Sequence, residues 1–192
     1  MSVEKLNPMS SAVLVLDCQK GVVGSLEGSD RILAPAARVL EAVRSKGIPV
    51  IHVGIGFRPG YPEVPASHPT FGAIRQSNRF VNGTESAQFH ETVAPKADEI
   101  IVVKHRVSAF SGSDLEMILR SQGITRLALF GIATSGIVLS TVRQASDLDF
   151  HSIVIKDCCF DADEEVHRVL TEKVFVRQTN VVDSEAFVRD FL

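Results

Sequence analysis

Residues 12–19 read Ala-Val-Leu-Val-Leu-Asp-Cys-Gln, an apolar strand-length run that stops on a carboxylate. A strand with one wet face alternates apolar and polar side chains. An unbroken apolar run suits a strand covered on both faces, as in a parallel sheet. Similar runs recur at residues 48–53 (IPVIHV), 100–103 (IIVV), 127–130 (LALF), 153–155 (IVI) and, most weakly, 174–176 (VFV). Helical spacing fills the gaps, at residues 36–46, 113–121, 137–148, 164–172 and 183–191. Gly47 and Gly123 provide stops, and Asp183 a start. Alternating strands and helices predict an α/β fold, a three-layer αβα sandwich around a six-stranded parallel sheet with Rossmann-like strand order. Residues 57–94 break the pattern. They are rich in Pro, Gly, Ser and Asn, and read as an irregular insertion able to cover a site.

The chain has 192 residues, which predicts a single domain over 1–192. It is 45% hydrophobic and 22% charged, a globular profile that excludes a disordered or fibrous chain. The net charge of −3 and the lack of a basic stripe argue against nucleic acid or an anionic membrane surface as partner. The amino-terminal segment, residues 1–17, has too short an apolar run for a signal peptide. Three cysteines, two of them adjacent at Cys158 and Cys159, make a poor disulfide framework. A cytoplasmic protein with reduced thiols is expected.

In open parallel sheets the ligand crevice lies beyond the carboxyl ends of the strands. Asp17 follows the first run and Lys104 the third, while Gly131-Ile132-Ala133-Thr134-Ser135-Gly136 follows the fourth and leads into a helix. A carboxylate, an ammonium and a small-residue turn are expected at one rim. The turn suits an anion or oxyanion. Contact with Lys104 would lower the pKa of Asp17 and burial would raise it. A structural ion pair is as compatible with these positions as a catalytic one.

Residues 12–19 (AVLVLDCQ), Lys104 with Ser108-Ala109-Phe110, and residues 131–141 (GIATSGIVLST) together resemble the isochorismatase-like hydrolases. The resemblance implies the six-stranded parallel sheet and a small-molecule substrate. It also implies catalytic roles for Asp17 and Lys104, a cis peptide at Ile132–Ala133, and an oxyanion hole from the N–H groups of Ala133 and Ile137. A homo-oligomer is expected on the same ground. The amidase branch of the family adds a nucleophilic cysteine, whose position is taken here by Ile137. A thioester cannot form on Ile.

Nicotinamidases of this superfamily hold a metal with Asp-x-His and a further His. Here the matching segment has only the isolated His52 and His68, so no metal and no cofactor are expected. Isochorismatases work without the cysteine. In them an Asp protonates the vinyl carbon of isochorismate, and water adds to the resulting oxocarbenium ion. The residues present allow that chemistry, with Asp17 as acid, Lys104 orienting it or binding a carboxylate, and Ile137 as an apolar wall. The competing expectation is a member that lost its nucleophile and binds a small molecule or a partner.

Further substrate-binding candidates are Gln19, which shares the face of Asp17, and Phe110, Ala133 and Thr134. Core packing suits Phe110 equally, and helix capping suits Thr134. Arg58, Arg75, Arg79 and Arg106 could grip carboxylates. The acidic run Asp161, Asp163, Glu164 and Glu165 reads as helix-start acids rather than a metal cluster.

Overall fold

The structure is a computed structural model describing residues 5–192. Residues 1–4, part of the segment read as lacking a signal peptide, lie outside the described residues. The opening apolar run forms β1 (Ser11–Leu16), buried at every position. The chain continues through α1 (Lys20–Val23), α2 (Leu33–Ser45), β2 (Val50–Ile55), α3 (Pro69–Gln76), β3 (Ile100–Lys104) and α4 (Leu115–Ser121). It then forms β4 (Arg126–Gly131), α5 (Leu139–Asp147), β5 (His151–Ile155), α6 (Glu164–Val169), β6 (Asn180–Val182) and α7 (Ser184–Phe191). All six strands are parallel, in the order β3-β2-β1-β4-β5-β6. The order runs one way from β1 to β3 and the other way from β4 to β6. Right-handed crossovers therefore place α2 on one face and α4, α5 and α6 on the other. α7 returns to pack beside α2. The expected α/β sandwich is the observed fold.

The last strand differs from expectation. Residues 174–176 are not extended. They belong to helical turns, Leu170–Val174 and Phe175–Arg177, that prolong α6. On that curved path Phe175 enters the core while Val176 stays exposed. The sixth strand is instead Asn180–Val182, which pairs only with β5. As an edge strand of three residues it needs no apolar run.

The insertion is also more ordered than its composition suggests. It contains α3, whose start is capped by His68: Nδ1 accepts from the N–H groups of Thr70 and Phe71. A separate apolar cluster of Ile55, Phe57, Tyr61, Val64, Phe71 and Phe80 holds it together. The four arginines considered for substrate are used here. Arg58 pairs with Glu63, Arg75 donates to the carbonyl of Val64, Arg79 to Gly21, and Arg106 to His105 and Glu63.

The return from the insertion to β3 is fastened by a polar triad of the buried His52 and the half-buried Arg44 and Glu99. Glu99 takes a bidentate grip from Arg44 of α2, at 2.7 and 2.8 Å, and a bond from the fully buried His52 of β2 at 3.0 Å. Burial alone would raise the Glu99 carboxyl, but Arg44, the Lys96 N–H and His52 outweigh it and hold the pKa at about 2. A carboxyl depressed from 4.5 to about 2 stabilises the fold fully above pH 4.5 and loses that contribution as pH falls toward 2. Glu99→Gln is expected to cost about 1–2 kcal/mol at pH 7, less than the full shift because Arg44 and Glu99 are only partly withdrawn from water. In denaturant unfolding, the gap between wild type and variant should close steadily from pH 4.5 downward.

Candidate active site

At the end of β1 the backbone of Asp17 takes a left-handed φ of +49°, a conformation Asp tolerates better than most residues. The Asp17 N–H donates to the carbonyl of Val53 at 2.8 Å, which pins the bend against β2. The carboxyl then lies over the carboxyl end of β2. Oδ1 accepts from the Ile55 N–H at 3.0 Å, and Oδ2 meets Nζ of Lys104 at 2.9 Å. Lys104 is the last residue of β3 and is 1% exposed, and Asp17 is 8% exposed. Nζ also donates to the carbonyl of Arg106 at 3.0 Å.

Burial and the ion pair pull the Asp17 proton in opposite directions, and burial wins. It pushes the carboxyl above the usual carboxylate range, against Lys104 and the Ile55 N–H. The pair is thus a carboxyl and an ammonium competing for a proton out of water.

Gln19 lies beyond the end of β1, past the left-handed bend at Asp17, and its side chain returns to the same backbone donor as the Asp17 carboxyl. Its Oε1 accepts from the same Ile55 N–H at 2.9 Å. Its Nε2 donates to the carbonyls of Ile55 at 2.9 Å and Ala87 at 2.7 Å. Both amide hydrogens are therefore committed, and Gln19 braces the insertion against the strand ends.

The turn after β4 closes the other side of the rim. At Gly131 a Cβ would lie 1.9 Å from the carbonyl oxygen of Leu16, so only glycine lets β4 finish this close to β1. The Ile132 N–H donates to that carbonyl at 3.1 Å, and the Ile132–Ala133 peptide is cis, as the resemblance implies. Ala133 leads into the turn Thr134–Val138, which carries Thr134 and Ile137 and in which Gly136 departs from helical geometry. Ile137 is buried.

Phe110 is not part of this rim. Its ring stacks on Phe150, 5.7 Å away, and Phe150 precedes β5 at the amino end of the sheet. The Ala109 N–H beside it bonds Thr141 Oγ1 of α5 at 3.1 Å, fastening the 108–110 loop to that helix. Cys18, Cys158 and Cys159 are all buried, and burial raises all three thiols, Cys159 to about 12.

Two contacts were not legible. Asp161 does not act as a helix-start acid. Asp163 is the residue whose side chain caps α6, and Asp161 instead accepts from the Ser135 N–H at 2.7 Å. His167 of α6 lies 2.8 Å from Thr134 Oγ1 through Nδ1. Among the described residues, no group of three or more His, Cys, Asp and Glu is arranged to hold a metal ion. Nor is any helix among them long and apolar enough to cross a membrane.

A parallel sheet with a buried acid and ammonium at its rim, beside a glycine turn entering a helix, is the frame of a small-molecule hydrolase. The isochorismatase domain model matches residues 11–186, and the chain belongs to the isochorismatase family of hydrolases. The family protein YecD of Escherichia coli O157:H7 is 28% identical over 183 residues, covering 92% of this chain and 94% of that one. A maleamate amidohydrolase of Pseudomonas putida is 30% identical over 147 residues, 77% of this chain and 65% of its own. An isochorismatase family structure from Burkholderia thailandensis superposes with a TM-score of 0.83 at 26% identity, covering 98% of each chain.

The ion pair makes a stability prediction. Lys104→Met removes the cation that opposes protonation of the buried Asp17, so the variant should be destabilised, and increasingly so as pH rises and the carboxyl is asked to ionise unpaired. Adding Asp17→Asn to that variant should recover much of the loss, measured as a double-mutant cycle by denaturant unfolding.

Proposed function

We propose that this protein is a hydrolase that uses Asp17 as a general acid and forms no covalent intermediate on the protein. Its substrate is isochorismate or a related small vinyl ether. The observation that carries this reading is an Asp17 carboxyl buried at the sheet rim, where burial favours its protonated form, with Ile at position 137 of the neighbouring turn. A carboxyl whose burial favours the protonated form can deliver that proton to a vinyl carbon.

In this scheme Asp17 donates its proton to the terminal vinyl carbon, and the ether oxygen stabilises the resulting cation. Water adds to that cation and gives a proton back to the Asp17 carboxylate, and the hemiketal then collapses, its hydroxyl proton passing to the leaving ether oxygen, to pyruvate and a dihydroxylated cyclohexadiene carboxylate. Lys104 has two ammonium hydrogens engaged, by Asp17 and by the Arg106 carbonyl, and no third partner among the described residues. The remaining hydrogen is available to a substrate carboxylate. Ile137 lines the site as an apolar wall, and the N–H groups of Ala133 and Ile137 face the substrate's oxygen.

A second reading is favoured by relatives named as amidohydrolases of maleamate and ureidoacrylate. In it the Asp17–Lys104 pair activates water against a small amide, and the turn stabilises the oxyanion. In a third, the site binds a small molecule without turning it over.

Purified protein is expected to release pyruvate from isochorismate, and Asp17→Asn to lower the rate about 100-fold or more. Ammonia from maleamate without pyruvate from isochorismate would replace the first reading by the second, and turnover of neither would leave the third. Under the first reading, iodoacetamide should leave the activity unchanged in the folded enzyme, because all three thiols are buried and protonated. Loss of activity in step with alkylation, followed by mass spectrometry, would show that a thiol takes part.

A further inference from the structure

The rim turn is held from one side by the segment that leads into α6. Phe160 donates from its N–H to the Gly131 carbonyl at 3.3 Å and accepts from the Thr134 N–H at 2.8 Å. Asp161, 7% exposed, accepts from the Ser135 N–H. His167, one turn into α6, reaches back to Thr134 Oγ1. Three residues of one segment thus hold the turn directly before Ile137, Phe160 through its backbone and Asp161 and His167 through their side chains.

The Thr134 contact has a direction. Thr134 is fully buried, and among the described residues His167 Nδ1 is the only partner of its hydroxyl. A buried hydroxyl must place its one hydrogen on an acceptor, or lose about 1–3 kcal/mol. Neutral His167 with its proton on Nε2 offers that acceptor. Protonated His167 would donate at Nδ1 and leave the Thr134 hydrogen with none, so the side chain would have to turn.

We infer that His167 and Asp161 are positioning residues for the 133–137 turn, with His167 acting as a hydrogen-bond acceptor through Nδ1. The catalytic part of this inference rests on the proposed role of that turn in holding substrate. The groups facing His167 are Arg31 before α2, Lys156 after β5, and Asp161 and Glu164 around the start of α6. Burial and the two cations favour the neutral ring, while the two carboxylates oppose them. The ring therefore keeps its acceptor role to lower pH than an ordinary histidine would. The turn is held while the ring is neutral and loosens as pH falls and the ring protonates.

The test uses the intact protein and backbone-amide NMR, which needs no substrate. In wild type the amides of residues 133–137 should shift together with the protonation of His167, read from its ring nitrogens. His167→Asn keeps an acceptor near the Nδ1 position, so it should leave those amides in place and abolish the titration. His167→Ala should displace them at every pH. If His167→Ala does not fold, Thr134→Val removes the hydroxyl at constant volume and should displace them in the same way.

Turn amides that stay silent while His167 titrates would overturn the inference. So would an Ala or Val variant with unmoved amides. If pyruvate is released from isochorismate, His167→Ala should lower kcat about tenfold or more with little change in KM. His167→Asn should restore kcat and remove the acid limb of its pH profile. Absence of pyruvate in wild type would count against the proposed substrate and leave the amide readout standing on its own.

Discussion

The ion pair of Asp17 and Lys104 is made across the carboxyl end of β2, between residues that leave the strands on either side of it. Its cost dictates much of the surrounding structure. Two groups withdrawn from water need their remaining hydrogen-bonding capacity met by the protein. The Ile55 N–H serves Asp17, and the Arg106 carbonyl serves Lys104. Gln19 closes the arrangement by tying Ile55 and Ala87 together. The left-handed bend at Asp17 and the glycine at 131 then let β1 and β4 end close enough for the turn to meet the pair. Stability and chemistry are drawn from the same atoms. A carboxyl made expensive to ionise by burial is destabilising as a structural element and useful as an acid.

The parts of this arrangement legible in the sequence are those governed by burial along a strand. Five of the six strands announce themselves as apolar runs, four because both of their faces are covered, whereas the edge strand β3 leaves Ile101 and Val103 exposed. The rule that ligands gather at the carboxyl ends then locates Asp17, Lys104 and the glycine turn without further information. The sixth strand escapes because an edge strand with one neighbour is not obliged to be apolar, and Val174-Phe175-Val176 mimics one while running along a helical path. α3 escapes because its cap is a histidine and its surroundings are rich in turn formers.

What the sequence could not reveal are polar pairs made through space. His52 meets Glu99 across 47 residues, and Thr134 meets His167 across 33. No periodicity links such partners, and an isolated histidine looks alike in either role. Phe110 shows the converse limit. Its place in the family motif and its ring suggested a substrate wall, but the ring is spent on Phe150 at the far end of the sheet. Asp161 was grouped with the acids that start α6, although only its neighbour two positions on serves as the cap.

The strand order has a consequence for the growing chain. β1 is central, with Val13 paired to Val50 on one side and Ser11 to Arg126 on the other. Its first partner emerges soon after it, and its second more than a hundred residues later. During synthesis, β1, β2 and β3 can assemble while the outer edge of the most apolar strand in the protein remains unpaired. That edge is a template for wrong partners until β4 arrives. The residues that close it, ending in Gly131, also carry the turn over the site, so the strand pairing that removes the misfolding hazard assembles the rim in the same event.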